Sequence, residues 1–110
     1  MTVQANFSVY RGEDASLVFA IYEADGVTPQ NITGWSLSFT VRPAGGIALI
    51  AKTVGNGIAL TTPASGIATV TLAAADTSSL PAVYYSFSLA RTDSGQDAEL
   101  TSGLMILLSP

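Results

Sequence analysis

Apolar and polar residues alternate with a period of two along most of this chain, and the 3.6-residue period of an amphipathic helix is almost absent. Val3, Ala5, Phe7 and Val9 share one side of a first strand. After the polar turn Arg11-Gly12-Glu13-Asp14, Leu17, Phe19 and Ile21 share one side of a second. Asp25-Gly26 and Pro29-Gln30-Asn31 form a loop. Trp35, Leu37, Phe39 and Val41 then mark a third strand that Pro43 ends.

Past the turn Ala44-Gly45-Gly46, residues 47–54 read as a fourth strand whose Lys52 signals an exposed edge, since lysine is a common protection of unpaired strands. Gly55-Asn56-Gly57 closes it. Ile58 and Leu60 belong to a short fifth strand, Pro63-Ala64-Ser65-Gly66 turns, and Ala68, Val70 and Leu72 face inward from a sixth. Residues 73–80 are the one place for a helical turn, with Asp76 or Thr77 as its cap and Pro81 as its end. Val83, Tyr85, Phe87 and Leu89 alternate in a seventh strand, Asp93-Ser94-Gly95 turns, and residues 100–108 form a last strand interrupted by Gly103. Short strands at this spacing predict an all-β, immunoglobulin-like antiparallel β-sandwich of about seven to eight strands in two packed sheets. No boundary, linker or repeat divides residues 1–110, so one domain is expected.

Charge changes the picture of the surface. Only 11% of the 110 residues are charged, against about 25% in an ordinary soluble domain. Between Lys52 and Arg91 the single charged residue is Asp76. So few charges predict an exterior partly covered by a partner or by copies of the chain. The net charge of −4 disfavours nucleic acid and anionic lipid. The N-terminal stretch lacks a signal-peptide pattern, and polar residues break the charge-poor stretch before a membrane span accumulates.

With no histidine and no cysteine, the commonest general base, the commonest metal ligand and the thiol nucleophile are all missing. The acidic residues Glu13-Asp14, Glu23 with Asp25, and Asp93 with Asp97 and Glu99 fall in turns, which suits solvated loop carboxylates. Asp93 to Asp97 lacks the full calcium loop. No catalytic, cofactor or metal residues are assigned, and no small-molecule substrate is expected. Trp35, Tyr84 and Tyr85 offer the aromatic faces of a carbohydrate-binding platform. Trp35 and Tyr85, however, are in phase with the core, which leaves Tyr84 as the exposed aromatic.

The order of these pieces carries a resemblance. Phe-x-Val-x-Arg-Gly-Glu-Asp (Phe7 to Asp14) is followed by Asp25-Gly26 and by Asn31-Ile32-Thr33-Gly34-Trp35-Ser36-Leu37. Ala64-Ser65-Gly66 then leads through an alternating run to Asp76-Thr77, and Tyr84-Tyr85-Ser86-Phe87 leads to Asp93 and Gly95. This arrangement resembles the small immunoglobulin-like domains of bacteriophage structural proteins, in particular the N-terminal domain of the baseplate upper protein family and short stand-alone virion proteins. It departs from them where Pro81-Ala82-Val83 replaces a glycine. The resemblance implies a non-enzymatic virion component that docks onto other virion proteins, on the tail or baseplate or on the capsid as a decoration (cement) protein. A carbohydrate-binding module is the alternative from another class. Strand addition at unpaired backbone places the expected interface at Ala48, Ile50, Lys52 and Val54, at Tyr84, and at Leu104, Ile106 and Leu108.

Overall fold

The computed structural model describes residues 3–23, 25–43, 46–93, 95 and 97–109, with backbone alone at 3–5. Eight strands follow in chain order: β1 (Val3–Tyr10), β2 (Ala15–Ala20), β3 (Leu37–Arg42), β4 (Ile50–Val54), β5 (Gly57–Thr62), β6 (Ile67–Leu72), β7 (Tyr84–Arg91) and β8 (Ala98–Leu108). A 3₁₀ turn at Pro63–Ser65 and a single helical turn α1 (Ala74–Thr77) interrupt them. The all-β sandwich read from the sequence is the fold. The turns at 44–45 and at Ser94, and the inward placing of Val3 and Ala5, lie outside the described residues.

Two features differ from the expected pair of antiparallel sheets. The strands form one continuous mixed sheet in the order β1-β8-β7-β3-β4-β5-β6-β2, and two of its pairings are parallel, β1 with β8 and β4 with β5. The continuity comes from a crook at Gly55-Asn56-Gly57. Gly55 and Gly57 take φ values of 87° and 99°, a region that favours glycine. The chain therefore steps sideways by one strand and runs on in the same direction, and β5 meets β4 only at Thr53↔Gly57 and Val54↔Ile58. Past the crook the sheet folds back over itself. Phe19 on the last strand of the order thereby packs against Phe39 of β3 and Phe87 of β7, with ring centroids 6.0 and 6.2 Å apart.

The core fills the fold. Leu37, Phe39 and Val41 of β3, Ala68, Val70 and Leu72 of β6, and Tyr85, Phe87 and Leu89 of β7 are buried in the phase that alternation predicts. All four phenylalanines join, since Phe7 lies 4.8 Å from Phe87. The Tyr85 hydroxyl donates to the carbonyl of Pro81 at 2.7 Å. That bond is the tyrosine corner of immunoglobulin-type sandwiches, and burial pushes the phenol above its ordinary pKa. In antibody domains the second cysteine of the inter-sheet disulfide follows this tyrosine by two residues. Here Phe87 stands at that place and meets Phe19 of β2, so aromatic packing joins the layers where a disulfide would.

Side chains tie the ends. At the end carrying α1, Gly12 N–H donates to the buried Thr77 Oγ1 at 2.9 Å, and Ala74 N–H donates to Asp14 Oδ1 at 2.8 Å. The Arg11–Asp14 segment is thus a turn docked on α1, and Asp76 takes the capping role by accepting from Ala73 N–H at 2.7 Å. At the opposite end Gly66 has φ 77°, and a Cβ there would collide with the carbonyl oxygens of Ile21 and Gln30. Only glycine lets the β2–β3 loop cross that turn.

Candidate docking surfaces

Because buried and exposed residues alternate, each half of the folded sheet presents an outer face whose composition reads directly off its strands. On β1, β8 and β7 the inward residues are Phe7 and Val9, Met105 and Leu107, and Tyr85, Phe87 and Leu89. Tyr10, Leu104, Ile106, Leu108 and Tyr84 therefore point outward. The register assembles them, with Tyr84 opposite Ile106, Ile106 opposite Ser8, Leu108 opposite Tyr10, and Leu104 between Asn6 and Ser86. Tyr84 is 67% exposed, and Tyr10 and Leu104 are exposed as well. The result is an apolar cluster toward one end of the face. Next to it lies a shallow polar dish lined by Asn6, Arg42, Ser86, Ser88, Glu99 and Ser102. Asn6 Oδ1 accepts from Leu104 N–H at 3.0 Å, and Ser88 Oγ donates to Glu99 Oε1 at 3.1 Å.

The structure thus brings together four of the eight interface residues expected from sequence, Tyr84, Leu104, Ile106 and Leu108. It does so for a different reason. Strand β8 is no edge; it pairs over residues 98–106 with β7 and over residues 101–108 with β1, so its backbone is occupied on both sides and its outward side chains are what it offers. Gly103 does not interrupt it, being paired with Ala5 and Phe87. Tyr10, which sequence reasoning missed, was signalled by its place one residue beyond the inward Val9.

The other four residues do not form a surface. Ile50 is 4% exposed and belongs to the core. Strand β4 lies between β3 and β5. Lys52 Nζ lies 2.8 Å from the carboxylate of Asp76, and since β4 meets β5 only at Thr53 and Val54, Ile50 to Lys52 pair with β3 alone. Burial works to raise the Asp76 pKa, but the hydrogen bonds from Lys52 and from Ala73 N–H outweigh it and hold the carboxyl below its ordinary value. Ala48 is exposed in the loop before β4, and Val54 is exposed where β4 ends.

The aromatic platform is not assembled either. Tyr85 is in the core, and the Arg91 guanidinium lies 3.9 Å over the Trp35 ring, a cation–π contact. Arg91 Nε also donates to Asp93 Oδ2 at 2.7 Å, and Ser36 N–H donates to the same oxygen at 3.1 Å. These bonds, Arg91 first, lower the Asp93 pKa. Asp25 is lowered by the Thr28 hydroxyl and by the backbone N–H groups of Thr28 and Val27, the pattern of a carboxylate closing its own turn. Among the described residues no three acidic side chains converge on a metal position, and no helix is long and apolar enough to cross a membrane.

The half made of β5, β6 and β2 is different. Its three strands contain no charged residue. Its outer face consists of Ser16, Val18 and Ala20, of Ala59 and Thr61, and of Ile67, Thr69 and Thr71, with the Thr61 and Thr69 hydroxyls 3.2 Å apart.

Compared with known proteins, the chain matches no family model, and no curated protein is significantly similar to it.

Proposed function

We propose that this chain is a non-enzymatic structural component of a bacteriophage virion, a small accessory that docks onto other virion proteins. The observation that carries the reading is the cluster of Tyr10, Tyr84, Leu104, Ile106 and Leu108 on one outer face. A solitary soluble domain would carry lysine and glutamate there. Aromatic residues ringed by small polar ones have the make-up of an interface core with its rim, and burying them together with the polar dish contributes toward the roughly 1,200 Å² or more that a specific contact needs. The resemblance to phage immunoglobulin-like domains supplies the virion, and the tail or baseplate and the capsid are its two sites of assembly.

The test is reconstitution. Purified protein is mixed with phage particles lacking it, and bound copies are located by cryo-electron microscopy. Density on the shell makes it a decoration protein, and density on the tail or baseplate makes it an accessory of that organelle. The double variant Tyr84→Ala, Ile106→Ser should keep its unfolding midpoint and lose binding by at least about a hundredfold, two hot-spot truncations of about 1.4 kcal/mol or more each. Failure to bind any particle, or undiminished binding by that variant, overturns the reading.

A further inference from the structure

Strand β2 ends the sheet and pairs only with β6, in unbroken register from Ala15↔Leu72 to Ala20↔Ile67. Ile21 N–H donates to Gly66 O at 2.8 Å, so by antiparallel alternation the odd-numbered residues of β2 bond toward β6. Ser16, Val18 and Ala20 turn their N–H and C=O groups away from the sheet. Natural edges of this kind are protected by lysine, proline or a bulge, and Ala15–Ala20, ASLVFA, has none of these. The inward side is open too. Leu17 and Phe19 are only half-buried, whereas Val70 beside Leu17 and Phe39 and Phe87 against Phe19 are sealed.

We propose that this edge pairs with the same edge of a second copy, β2 antiparallel to β2 about a two-fold axis at Val18. Three observations select a copy of this chain as the occupant. The edge carries no charge, so a protein of net charge −4 meets itself here without like charges on the paired strands. Val18 is the middle one of the three outward-bonding residues, so an axis there sets Ser16 against Ala20 on both sides and engages every open group of both strands. The six-residue segment is β-prone, uncharged and free of proline and glycine, the composition that pairs with itself. Area sets the strength. Six residues a side fall short of the roughly 20–30 of a permanent interface, so the dimer is weak in dilute solution and fills when copies are concentrated. This inference is independent of the virion reading.

The chain has no cysteine, so a single one introduced at Val18 reports the register. Directly opposed residues of a hydrogen-bonded pair have Cα atoms about 5.5 Å apart, inside the roughly 4.4–6.8 Å window of a disulfide. Under mild oxidation Val18→Cys should form a covalent dimer, whereas Thr61→Cys, on the same uncharged face but off the edge, should stay monomeric. In sedimentation equilibrium the wild-type chain should dimerise with rising concentration, and Val18→Lys, which sets like charges opposite each other, should weaken dimerisation by roughly tenfold or more. Val18 is 67% exposed, so the lysine leaves folding intact, as an unchanged unfolding midpoint verifies. A wild-type chain that stays monomeric at every concentration, equal dimerisation by Val18→Lys, or equal crosslinking at both cysteines overturns the proposal.

Discussion

The two halves of the folded sheet share a core but treat their surroundings in opposite ways. In the half made of β1, β8, β7, β3 and β4, the central strands are paired on both sides, and their inward side chains are sealed. All the charged residues that lie within strands belong to this half: Arg42, Lys52, Arg91 and Glu99. Its outward Tyr84, Leu104 and Ile106 stand on β7 and β8, which are paired on both sides, while β1 ends the sheet and pairs with β8 alone. The half made of β5, β6 and β2 presents small uncharged residues and a bare backbone edge above a half-open seam. The difference teaches that scarcity of charge has two structural meanings in one molecule. On the first half it leaves large apolar side chains on an outer face, and on the second an uncharged strand with unpaired backbone groups.

The largest test of this contrast is truncation of the core on each side of the seam. Phe39→Ala should lose about 3–5 kcal/mol in denaturant unfolding, the cost of a sealed cavity. Phe19→Ala should lose roughly half of that, because the ring is already half-solvated and water enters the space it leaves. Equal losses would mean that the seam is closed in solution. Smaller is the corner bond. Tyr85→Phe should cost about 0.5–1.5 kcal/mol by removing the hydroxyl that Pro81 O accepts, and near-zero cost would remove the corner as a distinguishing tie of the first half.

Acid should loosen one half more than the other. The carboxyls of Asp76 and Asp93 are held below the ordinary value of 3.8, and their partners Lys52 and Arg91 sit on β4 and β7. A carboxyl whose folded pKa is depressed contributes stability above its unfolded value and loses it as pH falls through the folded one. Stability should therefore decline from about pH 4 downward, by a small amount because solvent screens both pairs. Amide chemical shifts followed through that range should move in β4 and β7 around Lys52 and Arg91, and in the β2–β3 loop around Asp25, whose carboxyl is lowered too. On the finest scale, hydrogen exchange within β2 should alternate, with Ser16, Val18 and Ala20 exchanging faster than Leu17 and Phe19.

Sequence periodicity reached the strands and the core because burial phase is a local property. Leu37, Phe39 and Val41, and Tyr85, Phe87 and Leu89, could be placed from alternation alone. Neighbour order is not local. Nothing in β4 itself tells that Lys52 is held by Asp76, 24 residues on in the β6–β7 connection. The last strand looked available because nothing in its own residues tells that β1 returns beside it in parallel. The β2 edge is silent for the converse reason: Ala15–Ala20 has no lysine, proline or glycine to mark it. The outward cluster was largely legible, since Tyr84, Leu104, Ile106 and Leu108 were expected and Tyr10 too is outward by phase, but only the pairing of Tyr10 with Leu108 brings it to them.

The parallel pairing of β1 with β8 also has a mechanical meaning. Val3 lies beside Thr101 and Tyr10 beside Leu108, so the chain enters at one end of this pair and leaves at the other. Tension applied between the two termini acts along both strands in opposite senses and loads the evenly spaced ladder in shear, all its bonds at once. Pulled apart like a zip, the same bonds would yield one after another. The β1–β8 pair therefore meets such tension in its stronger direction.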